Sequence, residues 1–116
     1  KFLAKLAMDI IELKMKYQLV IQFPETLTGG FDLLIKLEDI LEANLKTSEV
    51  DGHDIGNGEM NIFIYTDDPQ LTFNEIKNLF ESEKEVVCNM KAAYRYTQKD
   101  KFICIWPKEL REFHVA

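Results

Sequence analysis

A chain of 116 residues with 47% hydrophobic and 29% charged residues is long enough to form one core and too apolar to remain disordered. Its formal net charge of −6 disfavours binding to phosphate backbones and to anionic lipid surfaces. We therefore expect a small acidic domain that contacts neither nucleic acid nor a membrane, and whose partner is a basic protein or a small ligand.

The first 14 residues carry apolar side chains at helical spacing: Leu3, Leu6, Ile10 and Leu13. This pattern predicts an amphipathic helix. Met15 and Lys16 directly precede a strand, as a translation start would, so two interpretations stay open. Residues 1–14 are either a leader or upstream extension that is not native to the fold, or a native helix that covers a sheet face or a partner. For residues 15–116 we expect a single domain.

The next elements alternate between strand and helix patterns. A β-rich run, Tyr17–Phe23, predicts a strand that stops at Pro24. Apolar residues at helical spacing from Phe31 to Leu45 predict an amphipathic helix. A weaker strand is predicted over 48–55 and a stronger one over 60–66. The Asn57-Gly58 dipeptide between these strands is the strongest short-range signal for a hairpin.

The second half of the chain predicts one more helix and two more strands. Thr72-Phe73-Asn74-Glu75 has the form of a capping box and predicts the start of the helix. Val86-Val87 begins the last sheet segment, which continues over 92–97 and is followed by a strand over 102–106 that ends at Pro107. This order predicts an α+β fold, a ferredoxin-like βαββαβ plait with an extra C-terminal β-strand and an N-terminal helix.

Such a plait leaves one face of its sheet without helices. An exposed apolar sheet of that size is unfavourable in water, so we expect a homodimer that buries it, or the N-terminal helix lying across it. The two cysteines, Cys88 and Cys104, lie in apolar runs and form no CxxC pair. They are too few for a disulfide scaffold, so we expect a cytoplasmic protein.

The segment VDGHDIGNGEMNIFIYTDDP, residues 50–69, concentrates polar side chains around the predicted hairpin turn. With a two-residue turn, His53 is paired with Ile62 and Asp51 with Ile64, and His53 shares the helix-facing side. A three-residue loop shifts the register by one and moves the whole set to the other face. Both registers stay open at this point.

Four interpretations of these polar side chains compete. In the first, they form the turn and stabilise it, since Asp and Asn hydrogen-bond to their own backbone in turns. In the second, they bind a divalent metal, although neighbouring residues of one strand point to opposite faces. In the third, they form a binding surface for another protein. Or they are catalytic, with His53 as a general base oriented by Asp51 or Asn61. In the catalytic case the aromatic side chains of Tyr65, Tyr94 and Trp106 line a ligand pocket.

The combination of His53, Asn61 and Trp106 on a plait resembles that of cofactor-poor monooxygenases and haem-degrading enzymes built on dimeric ferredoxin-like folds. The resemblance lies in residue type and fold, and no motif matches. It implies a small enzyme that uses His53. We expect no bound cofactor and no metal.

Four short segments also resemble small uncharacterised bacterial proteins: D-G-H-D at 51–54, G-E-M-N-I-F-I at 58–64, T-D-D-P at 66–69, and AAYR with a later W-P within 92–107. The resemblance covers residues 15–116 and carries over no functional residue. The leading hypothesis is a small cytoplasmic protein- or ligand-binding module, most concretely an immunity- or antitoxin-like protein. The alternative is the enzyme that uses His53.

Overall fold

The structure is a computed structural model that describes residues 15–116. The predicted N-terminal helix lies outside these residues. The elements follow in chain order as β1 (Tyr17–Pro24), α1 (Gly30–Asn44), β2 (Glu49–Gly56), β3 (Glu59–Thr66), α2 (Pro69–Leu79), α3 (Lys84–Asn89), β4 (Lys91–Tyr96) and β5 (Ile103–Trp106).

The strands form one five-stranded antiparallel sheet in the order β2-β3-β1-β4-β5. The α+β class is as predicted, but the predicted ferredoxin-like plait is wrong. The order of elements is β-α-β-β-α-α-β-β, with three helices among the described residues. This order is not that of a simple plait, because a third helix stands where the sequence predicts the start of a strand.

That third helix, α3, contains the Val86-Val87 pair that predicts sheet by its β-branched side chains. The backbone N–H of Val87 donates to Glu83 O at 3.0 Å, and that of Met90 donates to Val86 O at 2.8 Å. Val86 is 1% exposed and packs into the core from this helical turn. Burial of Val86 therefore overrides the local preference, and β4 begins only at Lys91.

Helix α2 begins earlier than its predicted capping box. Asp68 is the N-cap, and its Oδ1 accepts a hydrogen bond from the backbone N–H of Leu71 at 3.1 Å, with Pro69 in the first turn. Thr72, predicted as the cap, lies inside the helix, and its hydroxyl is 2.7 Å from that of Thr66. The capping-box prediction is wrong because Asp68-Pro69 starts the helix one turn sooner.

The main core lies between the helices and one face of the sheet. The sheet contributes alternate residues of β1 and β3, and α1 and α2 each contribute a buried stripe. Its fully buried members include Leu19, Ile21, Phe23, Leu34, Leu37, Leu41, Met60, Ile62, Ile64, Phe73 and Ile76.

A second, smaller cluster covers part of the opposite face. Phe113, 8% exposed, packs with Val20 and Ala93 of the sheet, and Leu110 and Val115 lie beside it. The irregular segment after β5 thus covers sheet surface that the sequence assigns to a second copy or to residues 1–14.

Two further findings concern membrane-spanning helices and the state of the cysteines. Among the described helices, none is both long and apolar enough to cross a membrane. Cys88 and Cys104 are both free thiols, Cys88 being exposed on α3 and Cys104 partly buried on β5.

Candidate functional site at the β2 edge

The β2–β3 hairpin has a two-residue turn. Asn57 and Gly58 have φ values of 52° and 78°, as a type I′ turn requires. The pairs that follow are Gly56 with Glu59, Ile55 with Met60, and His53 with Ile62. Of the two registers left open by the sequence, the two-residue register is confirmed, and it places Met60, Ile62 and Ile64 against the helices.

The register shifts between Val50 and Gly52, where β2 has a bulge. Val50 is paired with Ile64, so the predicted pairing of Asp51 with Ile64 is wrong. The bulge brings Asp51 to Tyr65, which hydrogen-bonds to its carboxyl group. Burial raises the pKa of Asp51 above its ordinary value, and the bond from Tyr65 acts in the opposite direction.

His53 is paired with a residue of α1 and with neither predicted partner. Its Nδ1 lies 2.9 Å from Glu38 Oε1 and 3.0 Å from Oε2. A carboxylate only accepts hydrogen bonds, so the N–H at Nδ1 is the donor. A neutral imidazole carries a single N–H, so in that form Nε2 has no proton. Glu38 is 8% exposed, whereas the side chain of His53 is 31% exposed. The interaction therefore joins a buried carboxylate to a half-exposed ring.

Glu38 is the residue that sequence reasoning missed. As a charged residue of an amphipathic helix, Glu38 is expected on the side of α1 that faces water. The signal was its spacing, because Glu38 lies four residues after Leu34 and three before Leu41, both fully buried. That spacing places it on the buried stripe of the helix, where a carboxylate needs a partner from another element.

Asn61 lies on the sheet face opposite His53. Its Nδ2 donates to Asp54 Oδ1 at 2.9 Å, and its Oδ1 accepts from Gln22 Nε2 at 2.9 Å. Gln22 Nε2 also donates to the backbone oxygen of His114 at 2.8 Å. This buried network connects β2, β3 and β1 to the C-terminal segment, so the structure does not bring Asn61 and His53 together.

The three aromatic residues predicted to line a pocket have separate neighbours. Tyr65 is 6% exposed and lies on the face away from the helices. Tyr94 packs edge-on against Tyr17, with ring centroids 5.4 Å apart. Trp106 packs on Phe73 at 5.9 Å, on the helix side of the sheet. No shared pocket joins these three rings in the described part of the chain.

The side chains that the metal-binding interpretation would use do not converge on one point either. Asp51 contacts Tyr65, His53 contacts Glu38 and Asp54 contacts Asn61. Within residues 15–116, no group of three or more His, Cys, Asp or Glu side chains is placed to hold a metal ion.

Within residues 15–116, the arrangement presents a sheet edge on which no further strand is paired. β2 is an edge strand, and Phe31 and Ile55 beside it are 53% and 41% exposed. The Phe31 ring lies 5.9 Å from the His53 ring, and His53 and Ile55 share one side of the strand. We call the surface formed by Phe31, Glu49, Asp51, His53 and Ile55 the β2 edge.

Comparison of the chain with models of protein families, with curated proteins and with solved structures finds no significant match.

Proposed function

We propose that this chain is a protein-binding module that takes up an extended, basic segment of another protein along the β2 edge. The observation that carries the proposal is an eight-residue edge strand with two exposed apolar side chains beside it. An edge strand presents unpaired backbone N–H and C=O groups that a further strand can bond. Phe31 and Ile55 would then act as apolar anchors for alternate side chains of that strand.

The two edges of the sheet differ in a way that favours β2. β5 has only four residues, and Lys101 and Lys108 flank it. Short length and flanking lysines are devices that protect an edge from pairing. β2 is twice as long, and its sequence EVDGHDIG contains no lysine or arginine.

The charge of the β2 edge supports a basic occupant. Glu49 is exposed and Asp51 is partly buried beside it, on a chain whose formal net charge is −6. Two copies joined edge to edge would bring these carboxylates together, so we place the predicted homodimer second. A basic segment would meet them with opposite charge.

An acidic immunity- or antitoxin-like protein that neutralises a basic partner is the most concrete form of this proposal, supported by size and charge alone. The two free cysteines fit a reducing compartment, so we place the protein in the cytoplasm.

A second candidate function is a small enzyme that uses His53. It is favoured by the contact of Nδ1 with Glu38, because a carboxylate that holds Nδ1–H orients the ring and leaves Nε2 to act as a base. Neither Asp51 nor Asn61 serves as the orienting group in this version. The effect of His53→Ala on the melting temperature, compared with its effect on turnover, separates this candidate from a structural role.

The binding proposal is tested with a ten-residue peptide of alternating arginine and valine, titrated into the ¹⁵N-labelled protein and followed by NMR. We expect saturable shifts of backbone amides in residues 49–56 and none in 103–106. A matched peptide with glutamate in place of arginine should cause no shifts, because the β2 edge is acidic.

A matched pair of variants locates the site. Ile55→Lys and Ile103→Lys replace isoleucines that are 41% and 40% exposed on the two opposite edges. Ile55→Lys should weaken binding of the arginine peptide by about tenfold, which corresponds to ~1.4 kcal/mol, since it removes an anchor and adds a like charge to the peptide. Ile103→Lys should leave binding unchanged. Equal effects of the two variants, or equal binding of the two peptides, would refute the proposal.

A further inference from the structure

The backbone groups of β2 that point out of the sheet follow from the geometry of the hairpin. In a two-residue hairpin, the two residues that flank the turn exchange both of their backbone hydrogen bonds, so those groups of Gly56 face Glu59. Along an antiparallel ladder, hydrogen-bonded pairs alternate with pairs that are not hydrogen-bonded. In the regular part of the strand, residues 52–56, His53 and Ile55 therefore direct their N–H and C=O groups away from β3.

These two residues present two N–H and two C=O groups at the open edge of the sheet. Within residues 15–116, no further strand is paired with β2, and no backbone group of a turn or loop bonds to His53 or Ile55. A row of unpaired backbone donors and acceptors is what an added strand bonds to. The bulge at Asp51 interrupts the regular alternation, so an added strand pairs with residues 52–56.

The side of β2 that faces the helices is apolar at this edge. Ile55 is paired with Met60 of the main core, so its side chain points to the helix side, and it is 41% exposed. Phe31, near the start of α1, is 53% exposed, and its ring lies 5.9 Å from that of His53. The residues of an added strand that point to this side cover apolar surface, which favours apolar side chains there.

The other side of the same strand is acidic. Asp54 is bonded to Asn61 on the sheet face away from the helices, and the carboxyl group of Asp51 is bonded to Tyr65 on that face. Both aspartates are partly exposed, and β2 itself contains no lysine or arginine. A residue of an added strand that points to this side meets negative charge, which favours a basic side chain.

Antiparallel pairing combines this backbone pattern with the two faces. In an antiparallel pair, the residues opposite His53 and Ile55 exchange both hydrogen bonds with them, and residues opposite each other point to the same face. Two apolar residues separated by one basic residue then pair with all four backbone groups. In a parallel pair, the hydrogen bonds are slanted and the pairing is slightly less stable. Every strand pair already present in the sheet is antiparallel.

We propose that the partner segment adds to β2 as an antiparallel strand with an apolar-basic-apolar pattern at its centre. The two apolar residues bond to His53 and Ile55 and cover Phe31. The basic residue between them points to Asp51 and Asp54. This inference rests on the proposed function, and it specifies the direction of the partner segment and the face that each of its residues contacts.

The test uses two N-methylated forms of the ten-residue arginine–valine peptide, each titrated into the ¹⁵N-labelled protein and followed by NMR. An N-methyl group removes a backbone donor and blocks the approach of an acceptor. Methylation of every valine should weaken binding by at least about tenfold, because those N–H groups bond to β2. Methylation of every arginine should change binding by less than about twofold, because those N–H groups point to water.

Nuclear Overhauser effects and a matched pair of variants identify the two faces. We expect contacts from the valine methyl groups of the unmethylated peptide to the ring of Phe31. Asp54→Asn keeps an oxygen that can accept from Asn61, and it should weaken binding by about two- to fivefold. Asp32→Asn removes the same charge from an exposed residue in the first turn of α1, and it should have a smaller effect.

The outcomes distinguish this inference from the proposed function. If methylation of arginine abolishes binding and methylation of valine does not, the inference is overturned, but a strand still pairs with β2 and the proposed function stands. Equal losses for the two methylated peptides, equal effects of the two aspartate variants, or no contact between valine and Phe31 also overturn the inference, and the Ile55→Lys variant then decides on the proposed function. If both methylated peptides bind as well as the parent, no backbone pairing occurs and the proposed function fails too.

Discussion

Replacing His53 with alanine should destabilise the fold, because it leaves the buried carboxylate of Glu38 without its partner. His53 holds both carboxylate oxygens of Glu38, at 2.9 and 3.0 Å, and Glu38 is 8% exposed. Without the ring, this buried carboxylate loses the donor that compensates its removal from water.

The size of the effect follows from burial. A buried polar group without a partner costs about 1–3 kcal/mol. The side chain of His53 is 31% exposed, so water can replace part of the lost interaction. We therefore expect a loss of about 1–2 kcal/mol in the free energy of unfolding. For a domain of this size, that lowers the melting temperature by at least about 4 °C.

Thermal melts followed by circular dichroism provide the measurement, and the chain offers a matched control. His114 has a side chain that is 84% exposed, and its backbone oxygen, which accepts from Gln22, is kept in an alanine variant. His114→Ala should change stability by less than about 0.5 kcal/mol. In a Glu38→Leu background, His53→Ala should lower the free energy of unfolding much less than in the parent, because the buried carboxylate is absent. The difference between the two losses, which is the coupling energy, should be about 1 kcal/mol.

Equal shifts for the two histidine variants, or no coupling between His53 and Glu38, would refute this reasoning. A melting temperature unchanged by His53→Ala, together with loss of a measured turnover, would instead support the enzyme as the function of the chain.

Three further predictions follow from burial, backbone geometry and charge. Phe113→Ala should cost about 3–4 kcal/mol in urea denaturation, because it opens the cluster on the helix-free face. Phe31→Ala, at a side chain 53% exposed, should cost less than about 1 kcal/mol, and similar losses for the two variants would contradict the assignment. Gly58→Ala should lower stability by about 1 kcal/mol in thermal melts, because φ is 78° while no neighbouring atom lies within 4 Å of the added Cβ. Burial raises the pKa of Asp51 above 3.8, so the folded chain holds this proton more tightly than the unfolded chain does. The stability gained from this proton is present at low pH and is lost as the pH rises from 3.8 through the folded pKa. Asp51→Asn should flatten that decline in urea titrations at successive pH values, and an unchanged decline would show that another group causes it.

Asn57 and Gly58 show how much of the hairpin the sequence determines. Their preference for positive φ selects a two-residue turn, and the turn then fixes the pairing from Gly56 to His53. These relations are local, since each depends on residues close together in the chain. The spacing of Leu34, Leu37 and Leu41 similarly predicts which side of α1 is buried.

The tertiary structure decided the features that depend on distant parts of the chain. The bulge at Asp51 and the helical state of Val86 follow from packing against other elements, which no local preference encodes. The partner of His53 is Glu38, which lies 15 residues away and on another element. The C-terminal segment covers the helix-free face through Phe113 without forming a strand or a helix over 110–116. Local dihedral preferences set turns and periodicity, whereas the pairing of buried polar groups and the covering of apolar surface are set by which elements meet in three dimensions.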